Sequence, residues 1–310
     1  MLTRAAAAAS LPERPADGHK GTFGHVLAIA GSEGKTGAAA LTAEGAARVG
    51  AGLVTIACPA GLHDILEIKC TEAMTVPVAD TSDRCLAANA APALLTLASE
   101  RTAVALGPGI GRSADTVKLV RDFAPRVRKP LVLDADSLFA FAGDPEALAV
   151  RRGHTVLTPH PGEASGLLEC STAQINDDRL GAARELAERS GAVVLLKGAA
   201  SVSADPDGRV LINPTGGPAL GSGGTGDVLT GMVAGFLAQG LETVEAAALA
   251  AFVHGAAADR LCSPPATSGL LAADLARALP GEMAALRALL GDPSATAAAG
   301  RQLAISFPEP

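Results

Sequence analysis

Six short apolar runs rich in β-branched residues, 26–30, 53–57, 103–106, 131–133, 155–157 and 193–196, alternate along the chain with longer Ala-rich stretches. The stretches 38–49, 113–127, 172–190 and 228–239 have helical length and apolar spacing. Strands separated by helices pair in parallel, and a parallel sheet needs both faces covered. The alternation therefore predicts an α/β fold of three layers, with a mostly parallel central sheet between two layers of helices. One piece departs from it: residues 201–204 and 209–212 flank Asp205-Pro206-Asp207-Gly208, whose Pro and Gly suit a tight turn, which predicts a β-hairpin.

Composition narrows the function classes. Hydrophobic residues make up 48% and charged residues 18% of the 310, ample material for a core. The net charge of −7, seven Phe and the lack of Trp and Tyr remove the basic face and the stacking platforms that nucleic-acid binding needs. The longest uncharged helical stretches, 228–241 and 246–258, fall short of the roughly 18 apolar residues of a membrane span. Five scattered cysteines, never in CxxC spacing, read as reduced thiols of a cytoplasmic protein. The expected organisation is an N-terminal arm (1–18), one catalytic domain (19–290) and a loose C-terminal tail (291–310).

The strongest local signal is Gly221-Ser222-Gly223-Gly224-Thr225-Gly226-Asp227, which runs directly into an apolar helical pattern. A helix start leaves about four N–H groups unpaired, and the macrodipole favours an anion there by ~0.3 to 1 kcal/mol. A phosphate-binding loop and a tight turn with Asp227 as helix cap fit this segment equally well. Neither a Walker loop nor a GxGxxG fingerprint is present: Gly31-Ser32-Glu33-Gly34-Lys35-Thr36 and Gly107-Pro108-Gly109-Ile110-Gly111 both have the wrong spacing. Three further segments fall at expected strand ends. Asp134-Ala135-Asp136 suits a hydrated Mg²⁺, a polar ligand or a capped helix start. Pro159-His160-Pro161-Gly162-Glu163 presents His160 to a ligand from a stiff loop, with Glu163 either beside it or capping a helix. Lys197-Gly198-Ala199-Ala200-Ser201 joins an apolar strand to the hairpin, and Lys197 is either phosphate-facing or solvated.

These segments occur in one order with KGTFGHVLAIAGS at 20–32, TGAAAL at 36–41, GAGLVT at 50–55, GPGIG at 107–111, LDADSL at 133–138, LTPHPGE at 157–163 and NPTGGPALGSGGTGDVLTG at 213–231. The combination resembles the ADP-dependent NAD(P)H-hydrate dehydratase family of the ribokinase-like superfamily, from Leu11 to about Leu279. The resemblance implies a ribokinase-like fold with the hairpin near a nucleotide site. It also implies a repair reaction on NADHX or NADPHX with ADP as co-substrate and Mg²⁺ as cofactor. By similarity Asp227 is the catalytic base beside an anion hole at Gly224, Thr225 and Gly226. Ala38, Gly109, His160 and Asp227 match positions that contact the hydrate. Lys197, Gly198, Ala199, Ala200, Ser201 and Gly226 match positions that contact the adenylate. No residue is assigned as a metal ligand, and Mg²⁺ is expected to reach the phosphates through water. A homotetramer and a separate NAD(P)H-hydrate epimerase are further expectations from the resemblance.

Two other functions fit parts of the same sequence: an ATP-dependent kinase of a vitamin precursor or sugar within the superfamily, and a nucleotide-binding sensor without turnover. The HPGE loop speaks against the first and the intact Asp227 against the second.

Overall fold

Each of the six apolar runs becomes a strand. The computed structural model describes residues 1–151, 154–262 and 267–290; the tail expected at 291–310 lies outside the described residues. The strands are β1 (His25–Ile29), β2 (Leu53–Pro59), β3 (Met74–Val78), β4 (Ala103–Leu106), β5 (Leu131–Leu133), β6 (Thr155–Leu157), β7 (Val193–Leu196), β8 (Val202–Ala204) and β9 (Val210–Ile212). They form one sheet in the order β3-β2-β1-β4-β5-β6-β7-β8-β9. All pairings from β3 across to β7 are parallel. The β7–β8 and β8–β9 pairings are antiparallel, so the expected hairpin closes one edge.

The period of two along each strand divides the core. Val26 and Ala28 of β1, with Ala103 and Ala105 of β4, face one helical layer, which contains Thr36–Arg48, Thr225–Ala238, Thr243–Leu261 and Ala272–Leu290. Leu27, Ile29, Val104 and Leu106 face the other, which contains Ala91–Ser99, Ala114–Phe123, Pro161–Leu168 and Arg179–Ser190. The small side chains on the first face let the Thr225–Ala238 helix sink against the sheet, with twelve of its fourteen residues buried. It crosses the Thr36–Arg48 helix almost backbone to backbone. A Cβ on Gly231 would strike the Thr42 carbonyl, and one on Gly45 would strike that of Val228. Packing this tight fixes the relative position of the two helix starts, and both starts lie at the site described below.

The N-terminal residues join the first layer: Ala7 and Ala8 of the Arg4–Ala9 helix are buried, and Leu2 N donates to Ile212 O of the edge strand at 2.8 Å. Nearby, the carboxylate of buried Glu282 lies between Arg4 and Arg260. Two sequence expectations are corrected. Residues 172–190 form two helices, Thr172–Asp177 and Arg179–Ser190, because Asp178 leaves the helical region and its carboxylate caps the second helix at Gly181 N, 2.8 Å away. Strand β3 was not expected, since it carries Pro77 and only one of its five residues is buried.

Candidate active site

The sheet order reverses at β1, which has β2 on one side and β4 on the other. In an open parallel sheet the loops leaving such neighbours diverge at the carboxyl ends and leave a crevice. Here it is a cleft of about 430 Å³ whose lining includes Lys35, Ala38, Gly109, Asp136, Gly224 and Asp227. Asp136 joins the two diverging loops. Its Oδ2 accepts from Lys35 Nζ at 3.1 Å and Gly111 N at 3.0 Å, and its Oδ1 from Arg112 Nε at 2.7 Å. Burial works against the charge on Asp136, yet these donors hold its carboxyl below the ordinary range.

Across the cleft the Thr225–Ala238 helix starts from Gly224, and no side chain caps it. Asp227, in the first turn, is therefore not spent as a cap, and its carboxylate has no hydrogen-bond partner among the described residues. Thr225 N turns back to Ser222 O and Val228 N to Gly224 O, while the amides of Gly226 and Asp227 between them have no acceptor among the described residues. A carboxylate thus stands beside two unpaired N–H groups at the positive end of a helix. The Thr225 hydroxyl is tied internally, to Leu220 O at 2.8 Å and Ser222 O at 2.9 Å.

Beneath Asp227 lies a second, fully internal carboxylate. Asp134, at the exit of β5, accepts from Lys197 Nζ at 2.8 Å, Thr158 Oγ1 at 2.7 Å and Thr230 Oγ1 at 2.7 Å. Lys197 Nζ also lies 3.8 Å from Glu163. Burial disfavours the ammonium, but the charges of Asp134 and Glu163 outweigh it and raise the Lys197 pKa. For Asp227, burial comes first and the Asp134 charge adds to it; with Lys197 pulling the other way, its carboxyl is pushed up to about 6.

His160 and Glu163 take both roles left open by the sequence. They form a reciprocal capping box at the start of the Pro161–Leu168 helix: His160 Nδ1 accepts from Gly162 N and Glu163 N, and Glu163 Oε2 accepts from His160 N at 2.8 Å. An Nδ1 that accepts leaves Nε2 as the nitrogen that carries the proton. The ring is largely exposed, at the strand end next to Lys197 and outside the cleft lining. Residues 197–201 form the loop out of β7, held by Arg179, whose guanidinium donates to Ala199 O at 2.5 Å and Leu196 O at 3.1 Å.

Ala38, Gly109, Gly224 and Asp227 therefore meet in one cleft, with Thr225, Gly226 and Lys197 adjoining it and Gly198, Ala199, Ala200 and Ser201 leading away from Lys197. The Asp134–Asp136 pair does not converge on one point, since Asp134 is tied to Lys197 and two hydroxyls and Asp136 to Lys35 and Arg112. Among the described residues no group of three or more His, Cys, Asp or Glu side chains gathers as a metal cage. Of the carboxylates on this edge, Asp227 is the one without a hydrogen-bond partner among the described residues, whereas Glu163 is held in its capping box. Sequence reasoning missed His254, buried in the Thr243–Leu261 helix, whose Nε2 donates to the Thr225 carbonyl at 2.9 Å. The available signal was a histidine followed by glycine inside an otherwise Ala-rich helix.

Comparison with known proteins bears on the family and the fold. Residues 26–281 match the family described as NAD(P)H-hydrate dehydratase. A bifunctional NAD(P)H-hydrate repair enzyme of Moorella thermoacetica is 47% identical over 280 residues, which is 90% of this chain and 53% of that one. An ADP-dependent (S)-NAD(P)H-hydrate dehydratase of Neisseria meningitidis is 37% identical over 270 residues, 86% of each chain. The chain thus spans about half the length of the bifunctional relatives it matches. Among solved structures, an ADP/ATP-dependent NAD(P)H-hydrate dehydratase of Bacillus subtilis, co-crystallised with ATP/Mg²⁺, superimposes with a TM-score of 0.76 at 31% identity. That superposition covers 92% of this chain and 97% of the other. The expected ribokinase-like fold is borne out.

Proposed function

Because the chain belongs to the NAD(P)H-hydrate dehydratase family, we propose that it repairs NADH and NADPH whose nicotinamide ring has been hydrated. The ring hydroxyl of (6S)-NADHX or NADPHX takes the β-phosphoryl group of ADP. Departure of that phosphate, with loss of the neighbouring ring proton, restores the double bond and yields AMP, phosphate and the reduced cofactor.

The observation that carries this reading is the Asp227 carboxylate, unpartnered, with its pKa near 6, beside the free amides of Gly226 and Asp227. A base for a hydroxyl works best with a pKa near the operating pH, and amides at a helix start stabilise charge on a transferring phosphoryl group. In this proposal Asp227 accepts the hydroxyl proton while the Gly224–Gly226 turn holds the phosphoryl oxygens. Ala38 and Gly109 contact the hydrated ring, and His160 donates through Nε2. Residues Lys197 to Ser201 lie along the adenylate. Mg²⁺, with Asp227 as the carboxylate facing its water shell, would neutralise phosphate charge when bound.

The test mixes purified protein with NADH hydrate, Mg²⁺ and either ADP or ATP, and follows recovery of reduced-nicotinamide absorbance together with AMP release. Recovery with ADP supports both reaction and donor. Recovery with ATP alone overturns the donor, and a stable phosphate ester without recovery makes the protein a small-molecule kinase. The homotetramer and the cytoplasmic setting belong to the same proposal; sedimentation velocity checks the first and fractionation of the source cells the second.

A further inference from the structure

Asp227 and its neighbouring amides occupy the first turn of a helix, where internal hydrogen bonds are fewest, and Thr225 has a glycine on either side. The helix begins at Thr225, so the Thr225 carbonyl already accepts from the backbone amide four residues on, while the first N–H groups stay free. The peptide between Thr225 and Gly226 is a single planar trans unit, so its two ends, the Thr225 carbonyl and the Gly226 N–H, point in opposite directions. Whatever grips the carbonyl aims the amide.

A second donor to that carbonyl, from outside the helix, is His254, whose Nε2 is 2.9 Å from Thr225 O. The ring is 6% exposed, and burial pushes its pKa down to about 4, so it is neutral and spends its one proton on this bond. The supporting helix is itself tied to the chain leading into the turn. Asn213 Nδ2 donates to Ala251 O at 3.1 Å, Thr215 Oγ1 to Phe252 O at 2.9 Å, and Gly216 N to Asp259 Oδ2 at 2.9 Å. A Cβ at Gly255 would collide with Thr215, which accounts for the glycine beside the histidine. The segment from Asn213 to Thr225 is thus fastened to the Thr243–Leu261 helix at both ends, and His254 is the fastening nearest the chemistry.

We infer that His254 is a positioning residue: as the second donor to the Thr225 carbonyl it pins the first turn of this helix against its neighbour, fixes the direction of the Gly226 N–H of the same peptide in the cleft and so sets the rate of phosphoryl transfer rather than nucleotide affinity. The inference rests on the proposed function for its kinetic part and on geometry alone for the orientation of the peptide. The bond also polarises the peptide and makes Gly226 a stronger donor. Ground-state ADP binding draws on contacts spread along residues 197–201, whereas the amide matters most where charge develops.

The experiment compares His254→Phe, which keeps the ring volume without the donor, with His254→Gln, whose side-chain amide restores a donor at similar reach. Expected for His254→Phe is a kcat lower by about 10- to 100-fold, less than the roughly 10²- to 10³-fold cost of losing an anion-hole donor outright, because the amide remains and only its direction changes. ADP affinity changes by less than about 3-fold, and His254→Gln recovers most of the rate. In the nucleotide-free protein the backbone amide resonance of Gly226 moves in His254→Phe and returns in His254→Gln. If the Phe variant fails to fold, His254→Asn serves, since its shorter amide falls short of the carbonyl and should behave as a loss. An unmoved Gly226 resonance overturns the inference, as does a kcat within 2-fold of wild type, or equal losses in the Phe and Gln variants. If wild-type protein repairs no hydrate with either nucleotide, the functional reading fails separately, and the Gly226 resonance still decides the positioning claim.

Discussion

Replacing Asp227 with asparagine is expected to stabilise the protein while nearly abolishing turnover. The folded state raises the Asp227 pKa from 3.8 to about 6. The native protein therefore binds that proton more tightly than the unfolded chain, and ionisation works against folding. The penalty is absent below about pH 4, grows between about pH 4 and 6, and is complete above that. About two pKa units correspond to roughly 3 kcal/mol as a ceiling. Asp227 is partly open to the cleft, and removing its charge also costs Lys197 an attraction, so about 1 to 2 kcal/mol is the expected gain.

Urea denaturation of wild type and Asp227→Asn across pH 4 to 8 measures this directly. The variant should be more stable by that amount at pH 8, and the difference should vanish near pH 4. ADP binding should persist while kcat drops by roughly 10²-fold or more, the usual size of a lost general base. In the wild type, kcat/KM should rise with pH through an inflection near 6. A variant no more stable at pH 8, or equally stabilised at pH 4 and 8, would refute the electrostatic reasoning. Near-normal turnover would remove Asp227 from the role of base.

Asp134→Asn removes the charge that helps raise the Asp227 pKa and leaves Lys197 without its nearest partner. The inflection of kcat/KM should move to lower pH, and unfolding free energy should fall by about 3 kcal/mol as a buried pair is broken; an unmoved inflection would contradict the coupling. Arg179→Ala frees the loop at residues 197–201 and should weaken ADP binding by roughly 5- to 30-fold, equivalent to about 1 to 2 kcal/mol of lost charged hydrogen bonds. Calorimetric titration with ADP checks this, with binding of the hydrate as the control expected to stay within about 2-fold. Gly231→Ala drives a methyl group into the Thr42 carbonyl and must part the two helices; a loss of about 1 to 3 kcal/mol in thermal unfolding is expected, together with lower kcat. Full activity in that variant would show that the crossing does not set the site.

The strands that carry the site were legible because 131–133 and 193–196 are uninterrupted apolar runs and 155–157 is Thr-Val-Leu, as suits strands buried on both faces. Strand β3 was not, since an exposed edge strand needs no such run. The break at Asp178 escaped notice because the apolar spacing on either side stays compatible with one helix, and only the capping contact to Gly181 reveals it. In the site, the glycine-rich turn marked Asp227, whose neighbours in sequence are its neighbours in space. Asp134 was visible only as one of two nearby carboxylates, because its partners Lys197 and Thr230 are 63 and 96 residues away. His254 was hidden for a similar reason. Its purpose lies in the carbonyl of a residue 29 positions earlier, and nothing in its own helix records that.

The charges of this edge also explain why so exposed a role falls to an aspartate with an elevated pKa. Three carboxylates, Asp134, Glu163 and Asp227, share the single ammonium of Lys197. Asp134 holds that ammonium closely and is saturated by two hydroxyls, and the excess negative charge falls on the member with no donor of its own. Asp227 is that member, and it responds by holding its proton more tightly. The same imbalance would repel a nucleotide's phosphates were it not for the unpaired amides at the helix start, a few atoms away, and for any cation that the phosphates bring with them. The arrangement therefore separates two tasks. Asp134 and Lys197 fix the electrostatic level of the site from below, and the turn from Gly224 to Asp227 meets the anion from the side. A substitution in the first pair should shift the pH dependence of the reaction, whereas one that disturbs the turn should lower the rate at every pH.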